Sequence, residues 1–339
     1  MIPFKYHQPS SLDDAQSALT QERCMPIAGG TTMIDLMKLN VLKPTKVVHV
    51  RSVLDESVET KNGFLVIGGG CTMAGLADHE AVRDRFPVIR QSLILAASPQ
   101  IRNMATIGGN LLQRTRSPYY RHTDMPLPEE PASRFGEGVE TTLLAVLGNG
   151  GRLVGMYPGD FAVTVTAFDG QLELSGPDGV RTVAARDFYQ VPGESFQYTT
   201  LLQPGELITR VKLPISEPLR NSYYLKVRER SSYAFALASA AVGLQINNDQ
   251  IEAAHVGIGG LGSIPWHSPE AEAALIGKPP TDATFEAAAD AALQTANPPL
   301  GLEYKVPLAK RTLIRAWKTL RDQGPLSDEQ LWAMQHGRS

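Results

Sequence analysis

Hydrophobic and polar positions change period several times along the chain, and each change marks an expected element. Phe4–His7 reads as a short strand. Leu12, Ala15 and Leu19 then recur at helical spacing behind Ser11, which can cap the helix, with Asp13 and Asp14 at its positive end. PIAGGTTMIDLMKLN, from Pro26, reads as strand, glycine turn and helix, and Lys46–Val50 as a β-branched strand. These pieces make an α/β unit over residues 1–55. A second unit, 56–216, carries the strand FLVIGGG, a helix capped by Thr72, and helical spacing from Pro87 to Ala97. TTLLAVLG at 141–148 reads as a strand. LELSGPDGVRTV reads as a hairpin turning at Pro177-Asp178-Gly179. Residues 117–138 are polar and rich in proline and glutamate, the signature of a long inserted loop. In a third unit, 217–325, YYLKVRER alternates as a strand. FALASAAVGLQI and IEAAHVGIGG flank Asn247-Asn248-Asp249 as a hairpin, and helical patterns close the chain at 269–276, 283–296 and 307–322.

Composition narrows the function. With 32 basic and 35 acidic residues the chain carries a formal charge of −3, without the positive field that grips a phosphate backbone, so nucleic acid is not an expected partner. The basic residues of 307–322 read as a solvated helix face. The most apolar stretch, Ala234–Ile246, falls short of the ~20 residues that cross a bilayer. The N-terminus lacks a basic region followed by an apolar run, so no signal peptide and a cytoplasmic location are expected. Cys24 and Cys71 are the only cysteines, which excludes a disulfide framework and a cluster held by four thiolates of this chain. HExxH, CxxC, GxSxG and the phosphate-loop motif GxxxxGK[ST] are all absent, and no histidines sit at metal-ligand spacing. Gly68-Gly69-Gly70 lies between strand and helix but does not fit GxGxxG, so a tight turn is the plainer reading.

Two other glycine segments carry more chemistry. One is Ile27-Ala28-Gly29-Gly30-Thr31-Thr32; the other is Thr106-Ile107-Gly108-Gly109-Asn110-Leu111. Each pairs two glycines with hydroxyl or amide side chains. Glycines let consecutive N–H groups converge on an anion without a Cβ in the way. A helix starting near Met33 would aim its positive end at the same spot. Two such segments suit one pyrophosphate held from two sides.

AGGTT, TIGGN with its QRTR continuation, and LKVRERSSYAFALASAAVGL together resemble the FAD-binding medium subunit of molybdenum-containing hydroxylases. This is the family of xanthine dehydrogenase, carbon monoxide dehydrogenase and aldehyde oxidoreductase FAD subunits, and the periplasmic-type aldehyde oxidoreductase branch is the most alike. PGELITRVKLP and GIGGLGSIPWHSPEAEAALIGK extend the resemblance over nearly the whole chain. It implies an α+β fold: an FAD-binding domain of the vanillyl-alcohol oxidase (PCMH) type with two α+β subdomains, then a C-terminal α+β domain of the CO dehydrogenase flavoprotein type. It also implies that Pro26, Ile27, Ala28, Gly29, Gly30, Thr31, Thr32 and Met33 wrap the FAD pyrophosphate, met from the other side by Thr106, Ile107, Gly108, Gly109 and Asn110. Leu112 would lie against the isoalloxazine ring, and Asp160, Ile208 and Lys226 match further FAD-contacting positions. Each has a plainer alternative: Leu112 as core, Asp160 as a helix cap, Lys226 as a solvated charge. Tyr119, Tyr120 and Tyr233 read more simply as packing aromatics than as flavin stackers.

The chain departs from that branch at one place. Where the branch carries cysteines for an additional [4Fe–4S] cluster, this sequence has Ser117 and no later cysteine. The expectation is FAD without an iron–sulfur cluster in this chain, bound non-covalently because no His or Cys flanks the glycine segments. Two roles stay open. In one, the chain is an oxidoreductase subunit. It passes electrons from a molybdenum-cofactor subunit that oxidises an aldehyde or N-heterocycle, through a [2Fe–2S] subunit, to an external acceptor. In the other, it is a standalone FAD-dependent enzyme acting on a small molecule. A relative that has lost FAD is disfavoured by the intact AGGTT and TIGGN segments.

Overall fold

The computed structural model describes residues 1–122, 141–191 and 199–335. Three sheets organise them. The first is parallel, in the order β1-β3-β2, from β1 (Lys5–His7), β2 (Cys24–Ile27) and β3 (Lys46–His49). Parallel neighbours need a crossover, and α1 (Leu12–Leu19) and α2 (Met33–Lys38) supply it. Ser11 caps α1 by accepting from Asp14 N. The unit buries little by itself. Ala15, Ala18, Leu19, Val48 and Val50 complete their cluster with Leu207 from the next unit, and Gln16 donates to Ser175 Oγ at 2.8 Å.

The second sheet is antiparallel, in the order β4-β5-β8-β6-β7, from β4 (Val58–Lys61), β5 (Phe64–Gly68), β6 (Gln171–Gly176), β7 (Gly179–Ala184) and β8 (Leu207–Pro214). Between β5 and β6 run α3 (Met73–Asp78), α4 (Glu80–Arg83), α5 (Pro87–Ile94), α6 (Pro99–Met104), α7 (Ile107–Leu111), α8 (Pro118–Arg121) and α9 (Asp160–Ala167); α10 (Ala185–Phe188) follows β7. Every residue of α9 is buried, and it packs against α5 and the third sheet.

That third sheet has the order β12-β11-β10-β9, from β9 (Ser222–Val227), β10 (Ala238–Asn247), β11 (Gln250–Gly259) and β12 (Trp266–His267). Asn248 and Asp249 turn the β10–β11 hairpin with φ of 49° and 56°, the left-handed pair that a two-residue turn of this hand requires. α11 (Glu217–Arg220) precedes the sheet. After it come α12 (Pro269–Leu275), α13 (Asp282–Leu293), α14 (Lys305–Gln323) and α15 (Asp328–Gln335), with α14 lying across β9 and β10. One hydrophobic cluster runs through the second and third sheets, so the two share a core.

Two expectations change here. Residues 141–148 form no strand. Leu144 and Leu147 make isolated bridges to Gly155 and Gly262, and the run threads the core with its N–H groups bonded to loop carbonyls of Val154 and Leu261. Its apolar character reports burial, not a ladder. The helix α15 was not foreseen. Residues 123–138 of the inserted loop lie outside the described residues.

Candidate functional site

β2 delivers the first glycine segment. It ends at Ile27, and the chain turns through Ala28–Thr32 into α2. Gly30 sits at φ 72°, in the left-handed region open to glycine. Among the described residues, the backbone N–H groups of Gly29, Gly30, Thr31 and Thr32 have no acceptor. Unspent N–H groups at a helix start make an anion cradle. Gly29 serves a second purpose. A Cβ there would lie 1.9 Å from the Met104 carbonyl oxygen, so its bareness lets the turn press against the end of α6.

The second glycine segment is one helical turn, not a loop of converging donors. Thr106 caps α7 by accepting from Gly109 N at 3.2 Å. Ile107 N bonds Cys71 O, Gly108 N bonds Gly69 O, and Asn110 N bonds Thr106 O. Its N–H groups are spent internally, because the Thr at its head is a helix cap. Its contribution is shape: Gly109 presents bare backbone where the segments meet.

Two cavities join at that point, and both are lined by Thr31, Thr32, Ala105, Gly109 and Gln113. The larger, about 460 Å³, runs between the first two sheets past Leu36, Val50, Leu54, Leu207 and Ile208. Met33 and Leu112 also line it, as do the rest of Pro26–Thr32. Tyr157 and Tyr189 close one side, their hydroxyls donating to Leu111 O at 3.0 and 3.1 Å; burial pushes both phenols up, so they stay neutral donors. The smaller cavity, about 350 Å³, opens toward the third sheet. Its walls include Asn110, Arg116, Asp160, Glu229, Tyr233 and Lys305.

The smaller cavity holds unspent polar atoms. Asn110 Oδ1 and Arg116 Nε are buried with no partner among the described residues. Both residues line the cavity, so a bound molecule or an ordered water there can supply the partners. Arg116 and Arg121 share Asp35 Oδ2, Arg116 at 3.1 Å, and the Arg116 guanidinium lies 5.1 Å from the Phe235 ring centre. This ties the QRTR segment to the first turn of α2.

Asp160 and Lys226 form a buried ion pair. Gly159 holds the cap position of α9 and Asp160 is its first residue. Asp160 Oδ2 accepts from Lys226 Nζ at 2.8 Å and Oδ1 from the Tyr224 hydroxyl at 2.7 Å. Lys226 also donates to Leu95 O at 3.1 Å. Its side chain is 1% exposed, so it is no solvated charge. It stands behind Asp160 and lines neither cavity; Ile107 is buried and does not line them either. Tyr120 borders the larger cavity under the Arg114 guanidinium, and Tyr119 is buried.

Lys305 was missed from sequence. It is wholly buried at the start of α14, donating to Gly260 O at 2.9 Å and contacting Met156 Sδ at 3.6 Å. A signal existed: position 305 falls on the buried stripe of Ala309, Thr312, Leu313 and Ala316. Ser117, whose Oγ is buried and without a partner among the described residues, lines the larger cavity. Cys71 is a buried thiol, pushed up to about 11 first by burial. Among the described residues no group of His, Cys, Asp and Glu is placed to hold a metal.

Comparison with known proteins extends over the chain. Residues 2–216 match the family described as the FAD binding domain in molybdopterin dehydrogenase, and 223–320 the CO dehydrogenase flavoprotein C-terminal domain. The aldehyde oxidoreductase FAD-binding subunit PaoB of Escherichia coli is 37% identical, over 95% of this chain and all of PaoB. The carbon monoxide dehydrogenase medium chain of Afipia carboxidovorans is 31% identical over 93% of this chain and 96% of that protein. Among solved structures, reconstituted CO dehydrogenase from Oligotropha carboxidovorans superposes with a TM-score of 0.75 at 28% identity, covering 94% of this chain and 98% of that one.

Proposed function

The chain belongs to the family of FAD-binding subunits of molybdenum hydroxylases, and from that premise we propose that it binds one FAD non-covalently and serves as an electron-transfer subunit. The observation that carries the reading is the junction itself: four unspent N–H groups, at the start of α2, where two cavities meet. A pyrophosphate fits there, with one half of FAD extending into each cavity. The apolar larger cavity suits the nucleotide half. The smaller suits the isoalloxazine ring, whose pyrimidine edge presents two carbonyls flanking an N–H. Arg116 Nε supplies an unspent donor for such an edge and Asn110 Oδ1 an unspent acceptor. In this arrangement Leu112 packs beside the nucleotide half.

Bound FAD supplies the redox chemistry by reversible uptake of two electrons. The protein's share is positional. Gly29–Thr32 hold the pyrophosphate, and Gly109 leaves room for it. Asp160, its charge balanced by Lys226, contributes a fixed dipole to the wall of the ring's cavity. The relatives bear the names of subunits and medium chains, which supports partners for this chain as well: a [2Fe–2S] subunit and a molybdenum-cofactor subunit, with electrons leaving to an external acceptor. Only two cysteines, one of them a buried neutral thiol, support a chain without an iron–sulfur cluster. The isolated FAD-loaded chain should oxidise no aldehyde or N-heterocycle, yet its flavin should bleach with a reduced dye and recolour with an oxidised one. Substrate turnover by the pure chain would favour the standalone flavoenzyme instead.

A further inference from the structure

Lys305 occupies a poor place for a cation. It is 0% exposed, and among the described residues it meets no carboxylate. As the first residue of α14 it lies at the positive end of that helix dipole. Gly260 O and Met156 Sδ take two of its three N–H groups, the second weakly, and among the described residues the third has no acceptor. Burial pushes it down to about 8. Other charges on the cavity wall are engaged elsewhere. Both oxygens of Asp160 are taken by Tyr224 and Lys226, Arg116 pairs with Asp35, and the Arg230 guanidinium sits over Tyr233 with its N–H groups on Ser232 O and Tyr233 O. Glu229 lines the cavity too, where its charge acts on Tyr304. A buried ammonium held without a counter-ion is costly unless an anion arrives beside it.

We propose that Lys305 stabilises the negative charge that the flavin ring gains on reduction. The inference rests on the FAD reading and on the ring occupying the smaller cavity. When oxidised FAD takes up two electrons and one proton from a donor, the proton goes to N5 and the remaining negative charge spreads over N1 and the C2 carbonyl. An ammonium in the cavity wall favours that anion over the neutral oxidised ring and so raises the reduction potential. Sulfite is a direct probe of the same charge. Its sulfur lone pair forms a bond to N5, and the displaced electron pair settles on N1 and C2=O with no outside oxidant or reductant.

The test uses the full FAD-loaded chain and the variants Lys305→Met, Lys305→Gln and Lys305→Arg. The neutral variants should keep their FAD but bind sulfite at least tenfold more weakly. An equal loss in the two-electron equilibrium lowers the potential by about 30 mV. Lys305→Arg, which keeps the charge, should return sulfite affinity to near the wild-type value, which a purely structural role would not do. A measurement on the unaltered chain guards against variants that fail to fold. The slope of potential against pH should double above about 8, as Lys305 begins to take up a second proton on reduction. The other titratable groups around this cavity are Asp160, Glu229, Arg116, Arg230, Tyr233 and, beside Glu229, Tyr304. Full FAD content with unchanged sulfite affinity in both neutral variants, or a single slope through that range, would overturn the proposal. A wild-type chain that takes up no FAD would instead overturn the cofactor reading beneath it.

Discussion

A Cβ at Gly29 would lie 1.9 Å from the Met104 carbonyl oxygen, whereas one at Gly109 would meet only Thr106 Oγ1, at 3.0 Å. The two glycines therefore fail differently when replaced. Gly29→Val forces two backbones apart and should lower thermal stability strongly even without cofactor, by more than the ~1–3 kcal/mol typical of overpacking. Gly109→Val should leave the apoprotein's melting temperature nearly unchanged and place a branched side chain at the cavity junction. FAD affinity, read by titration of the apoprotein, should fall at least a hundredfold; unchanged affinity in that variant would remove α7 from the site. The Asp160–Lys226 pair gives a third prediction. Lys226→Met leaves a buried carboxylate uncompensated and should cost about 3–5 kcal/mol in urea unfolding. Adding Asp160→Asn should recover much of that loss, and a double variant no better than the single would deny the pairing. None of these distinctions was visible in the residues themselves. AGGTT announces a cradle, but Met104 approaches Gly29 from another element, and a solvated charge stays open as an alternative for Lys226 until Asp160 is found beside it.

At the scale of elements, His255 on β11 reports how α9 docks. Its ring lies 5.0 Å from that of Phe168 at the end of α9, with Asp169, Glu272 and His267 as its titratable neighbours. Burial is the largest influence and holds His255 below the ordinary histidine value. The unfolded chain therefore binds this proton more readily than the folded one. The neutral ring's contribution to stability is complete above an ordinary histidine pKa of about 6.5 and is lost as pH falls through the lower folded value. Urea unfolding of the wild type should weaken with acid over that range, and His255→Gln should flatten the slope there. An identical slope in the variant would assign the acid sensitivity elsewhere. Elements with local signals were legible from sequence: the β10–β11 hairpin through its left-handed Asn248-Asp249 turn, and α1 through its Ser11 cap. Elements defined by distant partners were not. The 141–148 run is apolar because it is enclosed, and α7 is a helix because Thr106 caps it beside the 69–71 segment, whose carbonyls bond its first N–H groups.

Across the whole molecule, the site depends on all three sheets. The first supplies the N–H cradle, the second the bare turn of α7 and the apolar wall, and the third backs Asp160 of the cavity wall with Lys226 and, through α14, places Lys305. Among the described residues no helix is long and apolar enough to cross a membrane. The buried Cys71 thiol and the single remaining cysteine predict that the purified chain contains no stoichiometric iron or acid-labile sulfide, a result elemental analysis will show directly. The central claim is that the junction of the two cavities holds one FAD by its pyrophosphate. Titration of the apoprotein with FAD and with riboflavin, followed by flavin fluorescence, tests it most directly. The account predicts one FAD bound per chain, released intact on denaturation, with riboflavin bound far more weakly because it lacks the pyrophosphate. No uptake of FAD, or equal affinity for riboflavin, would contradict it.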